Sequence, residues 1–81
     1  MRYQDPTIQP IEAPVNANVW KVLVEEGASL TGGQTTMILE AMKMEINVNA
    51  SADLNGGKVV KLLIRPGDTV ECGQPLALVR I

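Results

Sequence analysis

The sequence predicts an all-β fold, a flattened β-sandwich or barrel whose two layers are related by a pseudo-twofold axis. Three observations lead there. The 81 residues are 46% hydrophobic yet include no Phe, one Tyr and one Trp, so the core is aliphatic, which suits a thin sandwich of β-branched strands. No window keeps a 3.6-residue apolar period bounded by caps, so no substantial helix is expected. The chain also repeats itself. Residues 19–39 set against 59–79, a constant shift of 40, match at six of 21 positions: Val19/Val59, Lys21/Lys61, Leu23/Leu63, Gly27/Gly67, Gly33/Gly73 and Gln34/Gln74. Upstream the shift is 37, with Ile11 falling on Val48 and Ala13 on Ala50, so about three residues are inserted around Asp53 to Gly56. A repeat of strand, Gly turn, short strand, Gly-Gln turn and strand implies two similar layers.

In chain order, residues 1–7 are polar and contain Pro6; they are read as a flexible N-terminal segment or linker remnant, with the domain proper at 8–81. Ile8, Ile11 and Ala13 alternate around Pro10, as in an edge strand. Asn16-Ala17-Asn18 turns the chain into the β-branched run 19–24, which Glu25-Glu26-Gly27 ends. Ser29-Leu30 is short, and Gly32-Gly33 turns the chain into Thr35 to Leu39. After the stretch 40–45, the residues to Ala50 alternate as a half-buried strand, and 53–57 is a turn-rich loop. Val59 to Ile64, Thr69-Val70 and Leu76 to Ile81 complete the second half, separated by Arg65-Pro66-Gly67-Asp68 and Cys72-Gly73-Gln74-Pro75.

Composition excludes several function classes. The net charge is −2 and no basic run occurs, which argues against nucleic acid or an anionic membrane as partner. Cys72 is the single cysteine and there is no histidine, so neither a disulfide framework nor a Cys/His metal site can be built, and no metal is expected. Cys72 itself reads as a small semi-buried residue beside a turn, and Trp20 as a core or edge-packing residue. No signal peptide or spanning run is visible, so the expected location is cytoplasmic, or the mitochondrial matrix where the parent chain is imported.

One stretch stands apart: Glu40-Ala41-Met42-Lys43-Met44-Glu45, between Met37-Ile38-Leu39 and Ile46-Asn47-Val48. A two-residue hairpin loop needs positive φ at both central positions and prefers Asn-Gly or Asp-Gly, so Met42-Lys43 is a poor choice by stability alone. Strain of this kind gathers at functional sites. A lysine on an exposed turn is ordinarily just a solvated side chain. Its flanking methionines point the other way, because residues on both sides of a tip cannot both be buried, and exposed thioethers suit partner recognition. The repeat puts this turn at one end and its counterpart at position 83, just past Ile81 and beside the chain ends. Lys43 is thus held as far as the fold allows from any parent chain.

Those six residues resemble the attachment motif of biotin carboxyl carrier domains. The resemblance extends over roughly residues 8 to 81, through Ile11-Glu12-Ala13-Pro14, the Glu26-Gly27 and Pro66-Gly67-Asp68 turns, and the pairs Gly33-Gln34 and Gly73-Gln74. It implies the biotinyl/lipoyl "hammerhead" sandwich of two four-stranded sheets. It implies biotin bound covalently to Lys43, a swinging arm that shuttles carboxylate from a biotin carboxylase domain to a carboxyltransferase domain. It also implies Glu40, Ala41, Met42, Met44 and Glu45 as contacts for a biotin protein ligase, with no catalytic residue in the domain itself. Attachment as an amide removes one positive charge, taking the net charge from −2 to −3, and needs an exposed amine free of a carboxylate partner. Ala17 and Ser51 depart from the family pattern in loops. The absence of a "thumb" segment, and a domain ending flush with the chain, tilt the reading toward a urea-carboxylase-like or other fused multidomain carboxylase. Two other readings share the frame: a lipoyl-type swinging arm for acyl transfer, whose lysine usually has acidic and alanine neighbours, and a non-enzymatic adaptor module.

Overall fold

The computed structural model describes residues 7–81; the segment 1–6 of the expected linker lies outside the described residues. The chain forms β1 (Ile8–Glu12), β2 (Ala17–Val22), β3 (Thr35–Ala41), β4 (Met44–Asn49), a single 3₁₀ turn at Ala52–Leu54, β5 (Lys58–Leu62), β6 (Thr69–Val70) and β7 (Pro75–Arg80). All pairings are antiparallel, in a three-stranded sheet of order β1-β7-β5 and a four-stranded sheet of order β4-β3-β2-β6.

The internal repeat holds at the level of register. Asn18, Val19, Lys21 and Val22 pair with Glu40, Leu39, Ile38 and Met37. Adding 40 to each gives the pairs of Lys58, Val59, Lys61 and Leu62 with Arg80, Val79, Leu78 and Ala77. The shift of 37 likewise carries the Ile46 and Val48 pairings of β4 onto Gln9 and Ile11 of β1. Loops obey the same rule. Gly27, at φ +92°, donates its N–H to the Val59 carbonyl at 2.6 Å, and Gly67, at φ +96°, donates to Val19 at 2.7 Å. Each half thus passes a loop across to the opposite sheet, and only glycine enters those turns without strain.

One layer is less complete than the resemblance implies. Its fourth member, the counterpart of β6, is reduced to a single bridge between Ser29 and Lys58, the equivalents of Thr69 and Asn18 in the other half. The difference is local: Leu30 N–H donates to the Gly57 carbonyl and Gly56 N–H to the Leu30 carbonyl, so the inserted loop 53–57 takes up hydrogen bonds that a longer strand would use.

Between the sheets lie Val19, Met37, Leu39, Val59, Val70, Leu76, Ala77 and Val79, all essentially without solvent contact. Bulges decide who faces in. Trp20 and Val60 are the extra residues in matching bulges of β2 and β5, which lets Val19 and Val59 point inward while the bulged residue points out. Trp20 is therefore not a core residue. It is 44% exposed, with Lys21 Nζ 4.5 Å from its ring centre, a cation–π contact that covers part of its face. A third bulge holds Thr36, buried, with its hydroxyl donating to the Val48 carbonyl at 2.7 Å. Cys72 also differs from expectation. It is exposed, because its N–H donates to Asn16 Oδ1 at 2.7 Å and its Sγ to the Pro14 carbonyl at 3.4 Å, both at the surface of the turn.

Candidate functional site

The ladder between β3 and β4 runs through Leu39–Ile46, Glu40–Glu45 and Ala41–Met44, so the loop consists of Met42 and Lys43 alone. These are the positive-φ non-glycine residues among those described, at +53° and +66°, the signature of the tight primed turn that matches strand twist. Holding an L-residue there costs roughly 1–2 kcal/mol per residue. The strained pair thus falls on the residue singled out by sequence.

Side chains around the tip point away from the core. Met42 is 94% exposed and Met44 66%, and Lys43, Glu40 and Glu45 are exposed as well. Ala41 is the exception: it turns inward and packs half-buried against the core. What Ala41 offers a partner is backbone and lack of bulk. Glu40 and Glu45 sit directly opposite each other, a like-charge arrangement that is destabilising in a β-ladder. Neither forms an ion pair with Lys43 among the described residues, so the amine is unencumbered. The sequence-predicted residues 40–45 are therefore brought together on one tip, all but Ala41 presented to solvent.

Position matters as much as exposure. Ile8 pairs with Arg80, and Ile81 N–H donates to the Thr7 carbonyl at 2.8 Å. At its other end β1 needs only residues 13–16 to reach Ala17, next to the Asn18–Glu40 pair. The tip and residues 7 and 81 therefore occupy opposite ends of a body 34 Å long.

A shallow groove of about 320 Å³ opens beside the tip, bounded by Asn16, Asn18, Glu40, Met42 and Thr69. By sequence alone, Asn16 to Asn18 read only as a turn and Thr69 only as part of a short strand. What joins them is a bond from Thr69 Oγ1 to Asn18 Oδ1 at 3.0 Å, across 51 residues of chain. The repeat equates residue 69 with residue 29 but carries no signal for which strand either one meets.

Comparison with known proteins adds four findings. Residues 7–79 match the model of a family described as "Biotin-requiring enzyme". A putative urea carboxylase of Emericella nidulans is 54% identical over 77 residues, covering 95% of this chain and 6% of that protein. Among solved structures, a single-chain, multi-domain long-chain acyl-CoA carboxylase superposes with a TM-score of 0.86 at 29% identity, over 99% of this chain and 8% of that one. The urea carboxylase of Kluyveromyces lactis superposes with a TM-score of 0.82 at 32% identity, over 100% of this chain and 7% of that one. The chain thus spans less than a tenth of these relatives.

Proposed function

Because this chain belongs to the biotin-requiring family and is a biotin carboxyl carrier domain, we propose that Lys43 is the residue that bears its biotin, through an amide at Nζ. The observation that carries this reading is the tip itself: an exposed, unpaired lysine held at φ +66° between two exposed methionines. The site suits the group. Nothing in the turn crowds Nζ, and the strand ladder ending at Ala41–Met44 fixes where the arm is rooted.

When bound, biotin supplies a ureido nitrogen that takes up and gives back carboxylate. The chain's own residues root, present and release the arm, and we assign none of them a general-base, nucleophilic or metal-binding role. Glu40, Met42, Met44 and Glu45 form the surface a biotin protein ligase reads, with Ala41 leaving room for its approach. Lysine and biotin tail together span about ten bonds, an arm on the order of 12 Å from standard bond lengths. That is short against the distance between two active sites, so the whole domain travels on its linkers and keeps the cofactor at high effective concentration near both.

We further propose that the catalytic partners are a biotin carboxylase domain and a carboxyltransferase domain in the same parent chain. Urea or a related amide is the proposed acceptor, a reading supported by the similarity to two urea carboxylases. The cytoplasm is its proposed location.

The experiment is the Lys43→Arg variant, expressed with biotin in excess and examined by intact mass and streptavidin capture. Wild type acquires one biotin adduct; the variant acquires none. A variant that is still captured would overturn the assignment of Lys43, and a lipoyl adduct on the wild type would overturn the cofactor.

A further inference from the structure

The groove beside the tip has no role in presenting an extended arm, yet its chemistry is specific. Glu40 supplies a carboxylate on one side and has no ion pair among the described residues. Asn16 and Asn18 supply amides on the other. The Asn16 amide is oriented without ambiguity: its Oδ1 accepts from the Cys72 backbone N–H at 2.7 Å, a group that can only donate. Its NH₂ therefore remains a donor with no protein partner among the described residues. Thr69 Oγ1 donates to Asn18 Oδ1 at 3.0 Å, and in that arrangement the Asn18 NH₂ is a second donor without a protein partner among the described residues. Ala17 and Ala41 bound the groove without adding bulk to it, and the exposed Met42 forms its rim.

We propose that this groove is a seat on the domain itself for the bicyclic ureido ring of biotin, into which the arm folds back between visits to catalytic domains. The inference rests on the reading that Lys43 carries biotin. A cyclic urea presents one carbonyl acceptor and two N–H donors. The Asn16 and Asn18 NH₂ groups complement the carbonyl, and the Glu40 carboxylate complements the N–H groups, a charge-assisted contact. Small alanines give the ring room, and the adaptable methionine covers its apolar edge. A dithiolane ring has no such donors or acceptors and would leave these polar groups unanswered.

Reach is sufficient. The groove opens at Met42, adjacent to the anchor, and its far wall lies across β2 and β6, two strand spacings or about 10 Å from β3. An arm of about 12 Å, ending in the ring, covers that span. The fold does not dictate this groove. Under the pseudo-twofold, Asn18 maps to Lys58, Glu40 to Arg80 and Thr69 to Ser29, so the opposite end has the reverse charge.

The test compares ¹⁵N-labelled protein before and after complete biotinylation, with the adduct first verified and located on Lys43 by mass spectrometry. The expected result is displacement of the Asn16 and Asn18 side-chain NH₂ signals and the Thr69 amide, with nuclear Overhauser contacts from ring protons to the Met42 methyl. In Asn18→Ala, compared before and after biotinylation, the displacements of the Asn16 NH₂ and the Thr69 amide collapse toward the level of remote residues. Complete modification at Lys43 with changes confined to residues 42–44, and no ring contacts in wild type, would overturn the seat while leaving the attachment reading intact. An adduct on another residue would overturn both.

Discussion

Replacing the tip by the residues its geometry prefers, Met42→Asn with Lys43→Gly, is expected to stabilise the domain while abolishing its function. Met42 and Lys43 are held at φ +53° and +66°, and each costs about 1–2 kcal/mol relative to a residue at ease there. Asn tolerates that region, so most of the first cost is recovered. Gly recovers the second but returns about 0.5–1 kcal/mol through its freer unfolded chain. Little burial is lost, because Met42 is 94% exposed. The balance is a gain of about 1.5 kcal/mol, or about 6–12 °C in Tm for a domain of this size. Calorimetry and urea titration of the unmodified protein measure it. An unchanged or lower Tm would refute the premise that this turn holds strain.

Other perturbations have definite signs. Gly57→Ala would place a Cβ 2.7 Å from Val79 Cγ1 and 2.9 Å from the Leu54 carbonyl; a loss of about 1–3 kcal/mol should appear in urea denaturation, and an unmoved midpoint would mean the inserted loop yields freely. Thr36→Val removes the buried hydroxyl that donates to Val48 and should cost about 1 kcal/mol; a variant as stable as wild type would show that bond to be dispensable. Glu40→Gln relieves the opposed pair with Glu45 and should add about 0.2–1 kcal/mol of stability while slowing biotinylation. Two readouts moving in opposite directions distinguish recognition from folding, and biotinylation at the wild-type rate would remove Glu40 from the ligase surface.

Much of this was legible in the sequence because the chain states its fold twice. The match of residues 19–39 to 59–79 reproduces every pairing of β2 with β3 and of β5 with β7. The strained tip was legible too, since Met-Lys is so far from what a two-residue loop prefers. Bulges were not. A strand read by alternation has no marker for the extra residue at Trp20, and the bulge turns that side chain outward. Nor was the exposure of Cys72, which follows from bonds to Asn16 and Pro14 more than 50 residues away. The groove depends on the same kind of contact: Asn18 and Thr69 meet only once two halves of the chain have been superposed as layers.

The shared register has a consequence for how such a domain can be wired. Carried through the pseudo-twofold, the Ala41–Met44 closure of the β3–β4 hairpin falls on the meeting of Ile81 and Thr7, where one N–H already bonds one carbonyl. The molecule is, topologically, a ring of two hairpin-like units in which one junction is closed by Met42-Lys43 and the other is open. A two-residue link from residue 81 to residue 7 would close it, and a cut at 42–43 would leave a circular permutant with the same core. The open junction brings residues 7 and 81 side by side. Lys43 lies at the far end of a body 34 Å long, nearly three times the length of the arm proposed for it.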